Sequence, residues 1–318
     1  MPSGSSHSAA IVLEHLTKSF GHLVAVNDLS LEIFSGEIFG FLGPNGAGKS
    51  TSINIICGLL KPDSGKVVIK GNNRLKNGRE VFTKIGLCPQ EIVCWPKLTC
   101  MEQLIFIGNM YGLQDSSARE SGMRLLVRLG LHEKSNMLAQ TLSGGMKRRL
   151  NLALALVHDP EIIILDEPEA GLDPQSRLVV REFIREMSVN KTVILTSHNM
   201  DEIDRLAKRV SIIDHGKLLL TDSPENLKKS MGEGDILEIE LLVSDDMKAK
   251  VQKVLQPVSP DLKMMNHTIV VRSADAVNMI PKICALLQEN DITYGNIRLR
   301  GNTLEDVFIH LTGRRLRE

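Results

Sequence analysis

Long hydrophobic runs are missing from this chain. No stretch of its 318 residues reaches the roughly 18 consecutive apolar side chains of a bilayer-spanning helix, so the sequence predicts no membrane span. Net charge is missing too, since 38 Lys plus Arg balance 38 Asp plus Glu. Nothing global in that balance attracts a polyanion, and no nucleic-acid partner is expected. The five cysteines, Cys57, Cys88, Cys94, Cys100 and Cys284, contain no C-x-x-C pair and are odd in number. They read as reduced thiols of a cytosolic protein. The opening "MPSGSSHSAA" lacks the apolar core of a signal peptide, and residues 1–10 are expected to be a disordered leader.

What is present is ordinary globular material, 42 % apolar and 24 % charged, enough for one large domain or two of usual size. "IVLEHL" (11–16) and "LSLEI" (29–33) alternate like half-buried strands. "EIFGFLG" (37–43) and "EIIILDEP" (161–168) are continuous apolar runs, as strands buried on both faces would be. Further strands are expected at 66–71, 84–90, 191–198 and 209–214. The stretch from about Thr99 to Val157 reads mainly as helix, opened by a capping box of Thr99 and Glu102. Asp173 followed by Pro174 marks another helix start. Strands alternating with helices imply an α/β fold with a mostly parallel sheet. "MGEGD" (231–235) is the best linker, and beyond it the order strand, helix, strand, strand, helix, strand is the split βαββαβ, ferredoxin-like pattern. The expected division is therefore 11–230 and 231–318.

"GPNGAGKST" is a complete phosphate loop, comprising Gly43, Pro44, Asn45, Gly46, Ala47, Gly48, Lys49, Ser50 and Thr51. It sits between a buried strand and a helix, where backbone N–H groups and the helix N-terminus can cradle phosphates. Lys49 reaches the β- and γ-phosphates and Ser50 offers a hydroxyl to Mg²⁺. Asp166 ends an apolar strand, a costly place for a carboxylate unless something pairs with it, and Mg²⁺ would. Glu167 points differently and can poise a water for attack on the γ-phosphate. His198 and Gln90 each follow a strand and lie at the same sheet edge, where ligands of parallel sheets collect. For His198 the alternatives are a γ-phosphate contact or a structural role; for Gln90 they are a Mg²⁺ or water contact or a plain surface loop. A second anion device, Ser143-Gly144-Gly145 in "TLSGGMKRRL", opens a helix about a hundred residues later.

The phosphate loop, Gln90, "LSGGM" (142–146), "LDEP" (165–168), "AGLD" (170–173) and His198 together resemble, in order and approximate spacing, the ATP-binding cassette (ABC) ATPases. The resemblance covers about 11–230. It implies the P-loop ABC ATPase fold with an N-terminal antiparallel β subdomain and a helical subdomain near 91–157. It implies ATP and Mg²⁺ as ligands, Glu167 as catalytic base, Asp166 assisting Mg²⁺, His198 on the γ-phosphate, and Gln90 sensing Mg²⁺ and water. Asp173 would belong to the loop linking two sites. Phe20 would stack on adenine, although the residues alone leave it equally free to be core. Ser143, Gly144 and Gly145 would address the ATP of a second subunit, a copy of this chain. Met146 stands where the family commonly has Gln, and Glu169 replaces a small or hydroxyl residue, adding a carboxylate that could tune hydrolysis. The C-terminal segment, with "LEDVFIHLTGR" (304–314), looks like that of bacterial drug-resistance, multidrug and polysaccharide exporter ATPases. Their partner is a separate membrane permease, which would hold the chain at the inner face of the cell membrane. Gln90 to Tyr111, carrying Trp95, Pro96 and Leu98, would transmit to the permease or simply pack the helical subdomain. The resemblance leaves a non-transport ATPase or a regulatory ATP-binding module as alternatives.

Overall fold

The structure, a computed structural model, describes residues 8–73, 82–232, 234–242, 247–256, 258, 262–265, 267–273 and 275–313. The expected leader lies outside these except at its end, where Ala9 and Ala10 already belong to a strand. The chain divides into two compact units between Pro224 and Glu225. That is ahead of "MGEGD", where the sequence places the boundary. The helix Pro224–Ser230 starts at that division, and the two residues after it are held within the second unit, where Arg272 donates to the carbonyl of Met231 and Asn302 to that of Gly232.

In the first unit, β1 (Ala9–Phe20) and β2 (Leu23–Phe34) form a long antiparallel pair, extended by β4 (Ser64–Ile69) and β5 (Asn72–Asn73) in the order β2-β1-β4-β5. Both first strands run well past the six- and five-residue stretches expected from alternation. His15 and Asp28 adopt φ of 50° and 54°, and the pairing register shifts on either side of Leu16. These irregularities break the two-residue period that the sequence reading followed.

The second sheet has the order β10-β9-β3-β8-β7-β6. Its members are β3 (Ile38–Leu42), β6 (Ile85–Cys88), β7 (Ile162–Asp166), β8 (Thr192–Ser197), β9 (Arg209–Asp214) and β10 (Lys217–Asp222). All pairs are parallel except the antiparallel edge β10. β3 is buried at every position and β7 at every position but its last, which is why they read as unbroken apolar runs. Parallel pairing brings the carboxyl ends of β3, β6, β7 and β8 to one edge, and the loops leaving that edge carry the candidate site. The helices Cys100–Met110, Asp115–Arg128 and Gly144–Leu156 lie between β6 and β7 in the chain. The first has the predicted capping box.

The second unit contains β11 (Asp235–Leu241), the helix Lys248–Leu255, β12 (Lys263–Met265), β13 (Thr268–Ser273), the helix Ala276–Glu289 and β14 (Tyr294–Arg300). The sheet order β12-β13-β11-β14, antiparallel throughout, is the ferredoxin-like topology. Leu237, Ile239, Ile269 and Val271 form a core with Val251, Leu255, Ile283 and Leu287 from the two helices. A last helix, Leu304–Thr312, starts with a capping box of Thr303 and Asp306.

Gly86 on β6 is closely enclosed: a Cβ there would lie 2.1 Å from the carbonyl oxygen of Ala155 and 2.8 Å from Pro160. Gly86→Ala should therefore destabilise the first unit by about 1–3 kcal/mol. Gly301→Ala, which meets open space, should change stability by less than about 0.5 kcal/mol. Urea unfolding curves of both variants check this.

Candidate functional site

The phosphate loop leaves β3 and turns into the helix Lys49–Cys57. Gly48 makes that turn at φ 100°, and a Cβ there would lie 2.3 Å from the carbonyl oxygen of Ala25 on β2. Only glycine lets the loop lie so close to the antiparallel sheet. Lys49 is buried and its ammonium donates to the carbonyls of Gly43 at 2.6 Å and Pro44 at 2.9 Å. Burial pulls its pKa below the ordinary lysine value, opposed by the negative charges of Glu167 and Asp166. The ammonium is thus held at the loop with few water contacts, where an incoming phosphate would replace the weaker carbonyl interactions.

At the end of β7, Asp166 accepts a hydrogen bond from the hydroxyl of Thr196 on β8. Glu167 follows with φ 52°, a left-handed conformation that turns its side chain off the strand direction. Its N–H donates to the carbonyl and the hydroxyl oxygen of Thr196. Its carboxylate is buried and engages His198 twice. Oε1 accepts the backbone N–H at 2.9 Å, and Oε2 lies 2.8 Å from Nδ1. A proton on Nδ1 donated to Oε2 leaves Nε2 as the ring nitrogen without a partner among the described residues.

These groups share one cleft of about 410 Å³. Its lining contains Phe20, Asn45, Gly46, Ala47, Gly48, Lys49, Ser50, Thr51, Gln90, Asp166, Glu167 and His198. Phe20 is half exposed, so it stands on the cleft and is not core. Gly43 and Pro44 serve from beneath, through their carbonyls on Lys49. Ser143, Gly144, Gly145 and Asp173 are not part of the lining. They form a second cluster: Ser143 caps the helix Gly144–Leu156 by accepting the N–H of Met146, and Asp173 caps the helix Pro174–Met187 by accepting that of Ser176. A Cβ on Gly145 would lie 3.2 Å from Ser176 Oγ and 3.5 Å from Asp173 Oδ2, so the two helix starts touch. Ser143, Gly144 and Asp173 are exposed.

The sequence reading passed over Arg148. This side chain is 2 % exposed and donates to five backbone carbonyls: Pro89 and Gln90 at 2.8 Å, Asp166 at 2.7 Å, Glu167 at 2.5 Å and Pro168 at 3.2 Å. One guanidinium thereby ties the loop after β6 and the loop after β7 to the helix that Ser143 caps. Asn151, one turn on, adds contacts to Pro89 and Glu91 and accepts the N–H of Val93. The available signal was periodicity, since Arg148 is in register with the buried Leu152 and Ala155. Glu169, whose carboxylate was expected near the catalytic one, is buried and held by Arg181 in a two-point pair of 3.0 and 2.8 Å.

The sequence profile described as ABC transporter matches residues 26–170. The linearmycin resistance ATP-binding protein LnrL of Bacillus subtilis is 34 % identical over 307 residues, covering 96 % of this chain and 99 % of the relative. The chain belongs to the ABC transporter family. A Nod factor export ATP-binding protein I of Sinorhizobium fredii is 36 % identical over 317 residues, 99 % of this chain and 90 % of that one. Among solved structures, the dimeric post-hydrolysis state of an ATP-binding cassette bound to ADP and Pi superposes with a TM-score of 0.62 at 26 % identity, over 67 % of this chain and 98 % of that one. This chain is accordingly an ATP-binding, ATP-hydrolysing ABC subunit. No helix among its described residues is long and apolar enough to cross a membrane.

Removing the Arg148 cation would strand five carbonyls between two catalytic loops. Arg148→Met should cost on the order of 3 kcal/mol and lower ATP turnover about a hundredfold through misplacement of Gln90 and Glu167. Urea unfolding and a steady-state ATPase assay measure the two effects.

Proposed function

We propose that this chain powers export through a separate membrane permease, working as a head-to-tail pair of identical subunits with two ATP molecules between them. The observation that carries this reading is the separation of the two phosphate devices. The cleft of Lys49 holds one, and the exposed Ser143–Gly145 helix start stands outside its lining. A helix N-terminus with free N–H groups favours an anion, and a second subunit's ATP supplies it. The relatives named for linearmycin resistance and Nod factor export point to export as the coupled process.

In this reading Phe20 stacks on the adenine ring, and Asn45 to Thr51 and Lys49 hold the phosphates. Ser50, Asp166 and Gln90 offer oxygen donors only, the set that suits Mg²⁺, and all three line the cleft. Bound there, the ion would neutralise charge on the β- and γ-phosphates. Glu167 accepts a proton from the attacking water. The water oxygen bonds to the γ-phosphorus while the bond to the β–γ bridging oxygen breaks, giving ADP and phosphate. His198, oriented by Glu167 through Nδ1, presents Nε2 to the γ-phosphate. Asp173, beside Gly145, couples one site to the other across the pair. Ile92, Val93 and Trp95 are exposed apolar residues just after Gln90, and Phe106 packs edge-on against Trp95. An apolar patch next to the γ-phosphate sensor is a suitable seat for the permease, and it would keep the chain at the inner face of the membrane. Residues 11–224 then form the ATPase cassette, and the ferredoxin-like unit is an addition to it.

Glu167→Gln should bind ATP, lower turnover by about a hundredfold or more, and accumulate as an ATP-bound pair in light scattering. Wild-type turnover would remove Glu167 from its role. Ser143→Arg should bind ATP as a monomer with unchanged affinity and fail to hydrolyse it; loss of ATP binding to the monomer would contradict the trans assignment.

A further inference from the structure

A buried carboxylic acid that the hydrolysis reaction does not use sits beside the residues that do. Glu202, in the short helix Met200–Leu206, is 3 % exposed. The wholly buried Ser197, last residue of β8, donates its hydroxyl to Glu202 Oε2 at 2.7 Å. The same Ser197 oxygen accepts the N–H of Asn199 at 3.0 Å. The serine therefore bridges His198 from both sides in sequence, with Glu202 as its anchor. Asn199 continues the scaffold by accepting the N–H of Asp201.

We propose that Glu202 is a positioning residue for ATP hydrolysis, holding through Ser197 the turn that sets His198 against Glu167. The proposal rests on the roles given above to Glu167 and His198. Its physical basis is the local charge count. The charged groups that act on Glu202 are Glu167 and Glu169 from the loop after β7 and Arg181 from the helix Pro174–Met187. Arg181 is committed to Glu169 at two points, and Glu167 to His198. Among the described residues Glu202 has no cation of its own and its Oε1 has no hydrogen-bond partner. A carboxyl in that position is most stable uncharged. Burial, reinforced by Glu169, raises its pKa to about 8. Uncharged, it anchors Ser197 without adding a third negative charge beside the base. The sign follows: the folded pKa lies above the ordinary carboxyl value, so this group's contribution is complete at low pH and is lost as pH rises to about 8.

The experiment is steady-state ATPase kinetics of the purified full chain against pH, for the wild type, Glu202→Ala, Glu202→Gln, Ser197→Ala and Glu167→Gln. Glu202→Ala should lower kcat about tenfold with KM for ATP within about twofold, since the turn is loosened while the phosphate loop is untouched. Glu202→Gln, uncharged at every pH, should restore kcat to within about twofold of wild type and lose the decline expected of the wild type as pH rises through about 8. Ser197→Ala removes the tether and leaves the carboxyl, and should reproduce the loss in kcat; it decides the matter if Glu202→Ala does not fold. Wild-type turnover in both alanine variants, or failure of the glutamine variant to rescue, overturns the proposal. Turnover retained by Glu167→Gln would instead overturn the underlying assignment of the base, so the two failures are distinguishable.

Discussion

The organisation of the site depends on one buried cation solvated by backbone alone. Arg148 meets five carbonyl oxygens and no carboxylate among the described residues. A guanidinium withdrawn from water needs most of its donors satisfied, and the planar fork reaches several acceptors at once. Those acceptors come from the two loops that carry Gln90 and Glu167. The arginine itself comes from the helix that Ser143 opens. The device proposed to address one ATP and the groups proposed to hydrolyse another are therefore tied together inside a single chain.

Local signals made most of the fold legible. Thr99 with Glu102 and Asp173 with Pro174 marked helix starts that the structure contains, because caps are encoded within a few residues. The apolar strands β3 and β7 were legible because parallel pairing buries them on both faces. The extent of β1 and β2 was not, since positive φ at His15 and Asp28 breaks the alternation on which the reading relied. The domain boundary moved for a related reason: Met231 and Gly232, read as a linker, are bound by Arg272 and Asn302, residues far along the chain.

The cleft was legible from motifs, since Phe20, Asn45–Thr51, Gln90, Asp166, Glu167 and His198 come together as five separated stretches of sequence suggested. The network behind it was not. Arg148 reaches back 59 positions to Pro89 and forward 20 to Pro168, and no local pattern encodes such partners. Glu169 reads as a carboxylate added near the catalytic one, and Arg181 from the next helix pairs with it. Buried polar groups are specified by what folds around them, which a motif does not state.

The central claim is that Ser143 of one subunit closes over the phosphate loop of another. Cysteine cross-linking tests it directly, in a chain whose five native cysteines are replaced and which carries Asn45→Cys, Ser143→Cys and Glu167→Gln. The account predicts that ATP with Mg²⁺ gives a covalent dimer on oxidation, at a yield far above that without nucleotide. A disulfide formed within one chain, or no ATP-dependent dimer at all, would contradict it.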